Sequence, residues 1–345
     1  MTAEGFTLPV PYLRHLTDQV RALGGDVPTW LGAVGLAESS LADASLAVTF
    51  PMFEGLVLGA LTATREPALG LFVGQRLGAS AHGILGYAAT TSGTIRQALT
   101  LLESYAHLRL SLLDVSHDVS PDAVRVRFTE VTPLGAVGRP LVETVVLSVR
   151  NIVDAISMGA CQPVAVAFAF EEPEYAAVAR DMFRCEVRYG EAWTGFVVVP
   201  SQLDAPLKMA DPESFREAQA ICQRELDKLK ASASMATRVR RLLLERSDAF
   251  PTLQVTARLF HMTPRTLHRR LLDEGTSFRA LLDDVRHRIA AEQLRSGRFR
   301  VEEVAYALGY TDVANFRRAF KRWESVAPSA FTTTHAKSQG SRRRR

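Results

Sequence analysis

Cysteine is scarce in this 345-residue chain: Cys161, Cys185 and Cys222 are far apart and odd in number. That excludes a disulfide framework and a CxxC-type metal site, and it suits a reducing cytoplasm. Uninterrupted apolar runs of about 18 residues are also lacking, so no spanning helix and no membrane partner is expected. The first residues, MTAEGFTLPVPYLRHL, do not combine a basic start with an apolar core, so no secretory signal is expected. Enzyme signatures are missing too. GxSxG, HExxH, the P-loop pattern and GxGxxG do not occur, so no catalytic residue and no cofactor is assigned. His261 and His268 lie seven apart without supporting ligands, so no metal site is expected.

Charge, in contrast, is present in quantity and unevenly placed. The net charge is only +4, yet from Ala231 onward there are 23 Lys and Arg against 11 Asp and Glu. Residues 1–230 hold the other 18 basic residues against 26 acidic ones. A basic last third joined to an acidic remainder suggests that only one part meets a polyanion. The length suits two domains. We expect one domain over 1–230, a linker at 231–237 (ASASMAT), a second, basic domain over 238–332 and a disordered basic tail at 333–345.

Residues 9–110 read mostly as helices. Leu13, Leu16, Val20 and Leu23 recur at steps of three and four, and Thr94 can cap a helix carrying Ile95, Leu99 and Leu102. Pro67 and Gly70 interrupt a third apolar stretch. The period then changes. DAVRVRFTEV alternates Val124, Val126 and Phe128 with Arg125, Arg127 and Thr129, as a half-buried strand does. PVAVAFAF and TGFVVVP read as further strands around a short helix, PEYAAVARDMF. The expected fold is thus an α+β N-terminal domain followed by an all-α C-terminal domain.

Two modules in the basic third share one plan. Each has a short helix with small residues at its centre (Val255, Thr256, Ala257; Val304, Ala305), which lets a second helix cross closely. A tight turn follows at His261-Met262 and at Gly309-Tyr310. Thr263 before Pro264, and Thr311 or Asp312, can then cap a new helix. At about 100° per residue, with Phe316 at zero, Phe320 lies near 40° and Trp323 near −20°, whereas Arg317, Arg318, Lys321 and Arg322 fill the opposite side. Leu267 and Leu271 against Arg265, His268 and Arg269 repeat that division. Helix, turn and capped helix with a cationic outer face outline a helix-turn-helix, and an Arg fork can bond guanine O6 and N7 together. Ser277 to Arg295 reads as one connecting helix of roughly 28 Å, enough to set two such helices about one DNA turn apart.

Residues 238–331 resemble the DNA-binding domain of the AraC/XylS family of bacterial transcription regulators. TPRTLHRRLLDEGTSF, VRHRIAAEQL and VEEVAYALGYTDVANFRRAFKRWESVAPSAF carry the resemblance. It implies two helix-turn-helix motifs joined by a long helix, with double-stranded promoter DNA and RNA polymerase as partners. It also implies that Arg265, His268 and Arg269 face bases in one motif and Val313, Ala314, Arg317 and Arg318 in the other. Thr263, Thr311 and Lys321 are then expected at phosphates. Ser325 departs from the family's usual Gly.

HGILGYAATTSGTIRQAL and CEVRYGEAWTGFVVVPSQLDAPLKMADP make residues 1–230 similar to the "arabinose-binding" effector domain shared with ornithine-utilisation-type regulators. Helices come first and outnumber strands, unlike the cupin sensor of the arabinose regulator itself. His82, Tyr87, Tyr105, Arg109 and Trp193 are the candidate effector residues, for a small apolar or amphipathic molecule. No Lys or Arg cluster there suggests a polyphosphate. The stripe Phe215, Ala218, Cys222, Leu226 and Leu229 on a helix over 212–230 serves either a homodimer contact or packing on its own domain. An activator controlled by a metabolite is the leading expectation. An enzyme or metabolite-binding protein with an accessory DNA-binding domain is the alternative, which catalytic turnover would favour.

Overall fold

The helical periodicities near the N-terminus become six helices. Helix α1 (Val10–Ala22) buries Leu13, Leu16 and Val20. Asp26 caps α2 (Val27–Gly32), accepting from Thr29 N. Helices α3 (Phe50–Thr64) and α4 (Leu69–Arg76) part around Pro67, which has no N–H to continue the ladder. Helices α5 (Gly83–Thr90) and α6 (Ile95–Tyr105) follow, and the Thr94 hydroxyl caps α6 by accepting from Gln97 N. This computed structural model describes residues 6, 8–43, 46–232, 234–246, 249–296 and 299–331. The chain forms two units, Met1–Ala231 and Ser232–Arg345.

In the first unit a five-stranded sheet has the order β1 (Leu113–Val119), β2 (Val124–Glu130), β5 (Gly195–Val198), β3 (Ala165–Ala167), β4 (Glu186–Arg188). All neighbours are antiparallel except β3 and β4. Val124, Val126 and Phe128 are buried on β2 as their alternation requires, and Val126 pairs with Phe196 of β5. The central helix α7 (Gly138–Ile156) buries Val142, Val146, Val149 and Val153. Its approach to α4 depends on missing side chains. A Cβ on Gly70 would lie 2.4 Å from the Pro140 carbonyl oxygen, and one on Gly74 2.7 Å from that of Thr144. Helix α8 (Ala176–Phe183) covers the sheet with Ala179 and Phe183.

Helix α9 (Pro212–Ser232) settles part of one open choice. Phe215, Ala218 and Cys222 are buried against Leu85, Ala88, Leu101 and Tyr105, so that much of the stripe packs on its own unit. The expected linker at 231–237 is largely helical instead. α9 runs through Ser232, and α10 (Met235–Glu245) starts three residues later. The helical run still ends inside that stretch: Ser234 caps α10 by accepting from Thr237 N, and the two units divide between Ala231 and Ser232.

The second unit continues with α11 (Leu253–Leu259), α12 (Pro264–Asp273), α13 (Phe278–Ser296), α14 (Val301–Ala307) and α15 (Val313–Glu324). The start of α10 is secured from a distance: the Glu274 carboxylate accepts from Met235 N and Ala236 N, both at 2.7 Å. Ser325 ends α15 in the left-handed conformation, with φ 61°. A side chain there is strained, so Ser325→Gly should stabilise the unit by about 0.5–1 kcal/mol. Urea unfolding checks this, with an unchanged slope and a raised midpoint as the expected result. The tail at 333–345 lies outside the described residues.

Candidate functional site

The two modules of the second unit superimpose in logic, with one difference of length. Thr256 and Ala257, and Val304 and Ala305, are fully buried where the second helix of each crosses the first. In the turns, Met262 N donates to the Ala257 carbonyl at 2.8 Å and Tyr310 N to that of Ala305 at 3.0 Å. The residue before each donor has a positive φ, 54° at His261 and 74° at Gly309. Thr263 then caps α12 at once by accepting from Thr266 N, whereas α15 is capped by Asp312, which accepts from Ala314 N. The second turn is therefore one residue longer, and Thr263 corresponds to Asp312 rather than to Thr311. From the caps onward Leu267 and Leu271 match Phe316 and Phe320, all fully buried. Arg265, His268 and Arg269 match Ala314, Arg317 and Arg318, all exposed. Val313 instead corresponds to Pro264. It is half-buried and packs on the core of its module, because the first residue of α15 turns inward beside the cap.

Helix α13 holds both modules. Leu281 and Val285 enter the first core, and Ala290, Ala291 and Leu294 the second. Between them the Arg286 guanidinium lies over Phe250 at 5.3 Å and over Tyr310 at 4.8 Å. Arg322 reaches Asp283 of α13 at 3.1 Å, and His287 bonds Glu324 at 2.7 Å. Arg317 pairs with Glu302 at 3.1 Å and Arg318 donates to the Asn315 amide oxygen at 2.6 Å, but these partners are exposed, so the contacts hold little energy and can be exchanged for other acceptors. Lys321 is exposed as well.

The first unit contains a cavity of about 140 Å³. Leu16, Phe53, Val73, Leu113 and Phe128 are among its apolar walls, and His82 and Arg109 line it too. His82 joins a chain of hydrogen bonds: Tyr12 Oη to Nδ1 at 2.8 Å, and Nε2 to Ser148 Oγ at 2.9 Å. Ser148 Oγ donates to the Leu77 carbonyl, so it accepts from the imidazole, which carries its proton on Nε2 and accepts from Tyr12 on Nδ1. Burial, then the positive charge of Arg109, pushes the His82 pKa down to about 4. The Arg109 guanidinium sits against Gly83, where a Cβ would lie 2.4 Å from Nη2.

Residues 24–207 match the family described as the arabinose-binding domain of AraC transcription regulator, N-term, and residues 256–334 match a helix-turn-helix domain family. The chain belongs to the AraC family of transcription regulators. The ornithine utilization regulator of Pseudomonas aeruginosa is 32% identical over 324 residues, covering 94% of this chain and 96% of that one. The HTH-type transcriptional regulator VirS of Mycobacterium tuberculosis is 27% identical over 327 residues, covering 91% and 93%. The crystal structure of transcriptional regulator CdpR from Pseudomonas aeruginosa matches with a TM-score of 0.49 at 25% identity, over 93% of this chain and 97% of that one. In the AraC family the first unit is the ligand-binding domain and the second binds DNA. Family and relatives are regulators of transcription, not enzymes.

Of the five residues expected at the ligand of this AraC-family chain, only His82 and Arg109 line the cavity. Tyr87 points to solvent, half-exposed on the outer side of α5. Tyr105 is buried elsewhere, its hydroxyl donating to Gln223 of α9 at 3.0 Å. Trp193 lies in the segment leading into β5, away from the lining. Polarity alone does not place a side chain at the cavity, because an aromatic hydroxyl is as useful for packing as for a ligand. Tyr12, Thr144 and Ser148 also line the cavity and were not among the expected residues. They sit on α1 and α7 within ordinary apolar stripes, and nothing local in the sequence sets them apart.

Proposed function

We propose that this AraC-family regulator is an activator that reads promoter DNA with α12 and α15 and responds to a small apolar or amphipathic effector in the cavity of its first unit. Supporting the reading most directly is the repeated outer face: Arg265, His268 and Arg269 on one helix, Ala314, Arg317 and Arg318 at equivalent places on the other. These residues read base edges, with Val313 contributing beside them from its half-buried position. Thr263, Thr311, Lys321 and the backbone amides at the helix starts hold phosphates. The regulator acts in the cytoplasm, on promoter-bound RNA polymerase, and two chains occupy paired half-sites. The effector works by binding one state of the regulator better than another.

Arg318→Ala is expected to cost about 1–3 kcal/mol of specific binding and to relax preference at one base position. Lys321→Ala should weaken all sequences alike and lower the salt slope by about one. Binding titrations of the full chain against a library of single-base variants, at two salt concentrations, separate the two. If Arg318→Ala lost affinity uniformly, its place among the base-reading residues would be wrong.

A further inference from the structure

The polar capacity of the cavity is almost used up by the protein itself. Five lining side chains carry a polar group: Tyr12, His82, Arg109, Thr144 and Ser148. The Thr144 hydroxyl is 2.8 Å from the carbonyls of both Gly70 and Pro140. Tyr12, His82 and Ser148 satisfy one another in the chain that ends on the Leu77 carbonyl. Arg109 remains. Among the described residues its side chain has no hydrogen bond and no ion pair, and its Nε is buried. A buried donor without a partner is unfavourable, the more so when charged, and so favours a ligand that supplies an acceptor. No Asp or Glu lines the cavity and His82 stays neutral; Glu225 of α9 feels the guanidinium but lies outside the lining, exposed and paired with Lys228 at 2.8 Å.

We propose that the cavity takes a small apolar monocarboxylate, with its carboxylate on Arg109 and its hydrocarbon body among Leu16, Phe53, Val73 and Leu113. One cation and no second free polar side chain call for one anionic group on an otherwise apolar molecule. Volume limits its size. An apolar cavity of about 150 Å³ holds a benzene-sized body, so a ligand of about six to eight carbons fits here without enlargement. An amino acid is disfavoured, because its ammonium group would enter an apolar wall with no counter-charge. The proposal rests on the reading that the first unit holds an apolar or amphipathic effector, and it narrows that reading to one chemical class.

Calorimetric titration of the full chain with hexanoate, phenylacetate, hexanamide, phenylacetamide and ornithine tests it. The two carboxylates should bind saturably at one site per chain, and each should exceed its own amide by roughly tenfold or more. Arg109→Gln should bring the carboxylates down to the level of the amides and leave the amides unchanged, and Arg109→Lys should restore part of the difference. The comparison of acid with amide needs no variant, so it stands even where Arg109→Gln fails to fold. Amides that bind the unaltered chain as tightly as the carboxylates overturn the monocarboxylate assignment and leave an apolar effector standing. Ornithine binding while all four apolar probes fail overturns both. Failure of all five probes also counts against the assignment.

Discussion

Phe320→Ala should remove about 3–5 kcal/mol from the second helix-turn-helix and abolish specific DNA binding. Phe320 is fully buried and sits at the centre of a ring cluster. Its ring centroid lies 5.8 Å from Phe316, 5.3 Å from Phe331, 6.4 Å from Trp323 and 6.4 Å from His287. Truncation leaves a void between α13 and α15 and removes edge-to-face contacts worth more than their area. The damage is confined, because the first module has its own core of Leu267, Leu271, Leu281 and Val285. Thermal unfolding should therefore show a lowered transition for the C-terminal unit, with the N-terminal unit unmoved. DNA titration should show residual affinity of a non-specific kind. Phe320→Leu should lose much less, since most of the volume is kept. A Phe320→Ala chain with unchanged melting and unchanged promoter affinity would contradict the packing described here.

The other large effect concerns acidity in the N-terminal unit. Glu143 of α7 is fully buried. Its Oε1 accepts from the Tyr175 hydroxyl at 2.9 Å, and its Oε2 is buried without a partner among the described residues. Burial raises its pKa to about 7, against which the Tyr175 hydrogen bond and then the charge of Arg139 act only in part. The folded state thus holds a proton that the unfolded chain releases near 4.5. Stability from this group is complete below that value and is lost as pH rises through about 7. The gap corresponds to about 3 kcal/mol, as an order of magnitude. His82 works in the opposite sense. Its pKa falls from 6.5 to about 4 on folding, so its share of stability grows as pH rises across that interval. The two slopes oppose each other over most of the same range. Wild-type stability should be nearly flat there on their account. Glu143→Gln keeps an acceptor for Tyr175 and removes the ionisable group. Denaturant titrations at pH 4.5 and 7.5 should then show the variant close to wild type in acid and more stable by up to about 3 kcal/mol at pH 7.5. An equal difference at both values would mean that Glu143 is ionised in the folded protein.

How much of this was visible beforehand differs between the two units. The β2 strand showed in its strict alternation, and β5 in its apolar run. β1 did not: Leu113 and Val115 alternate with Asp114, Ser116 and Asp118, but His117 breaks the apolar series and Val119 is exposed, so only two inward apolar positions are left. β4 is three residues long, too short to display any period. On α12 and α15 the division into buried and exposed side chains was legible except at Val313, expected on the outer face and found half-buried against the core. The capping residue of α15 was narrowed only to Thr311 or Asp312, since the length of the turn decides between them. Arg286 gave no sign of its position between Phe250 and Tyr310, which are 60 residues apart in the chain.

The sequence by itself determined the DNA-binding half: its helices, their caps, their buried stripes and their cationic outer faces. All of these depend on residues within one or two helical turns of each other, so periodicity and capping chemistry suffice to read them. Tertiary structure alone decided the ligand-binding half. Tyr12, His82, Arg109 and Ser148 come from four separate stretches, and only the packing of α1 and α7 with the segments before α5 and after α6 brings them to one cavity. Which polar groups are consumed there by partners, and which one is left over, is a property of that closure and of no local pattern.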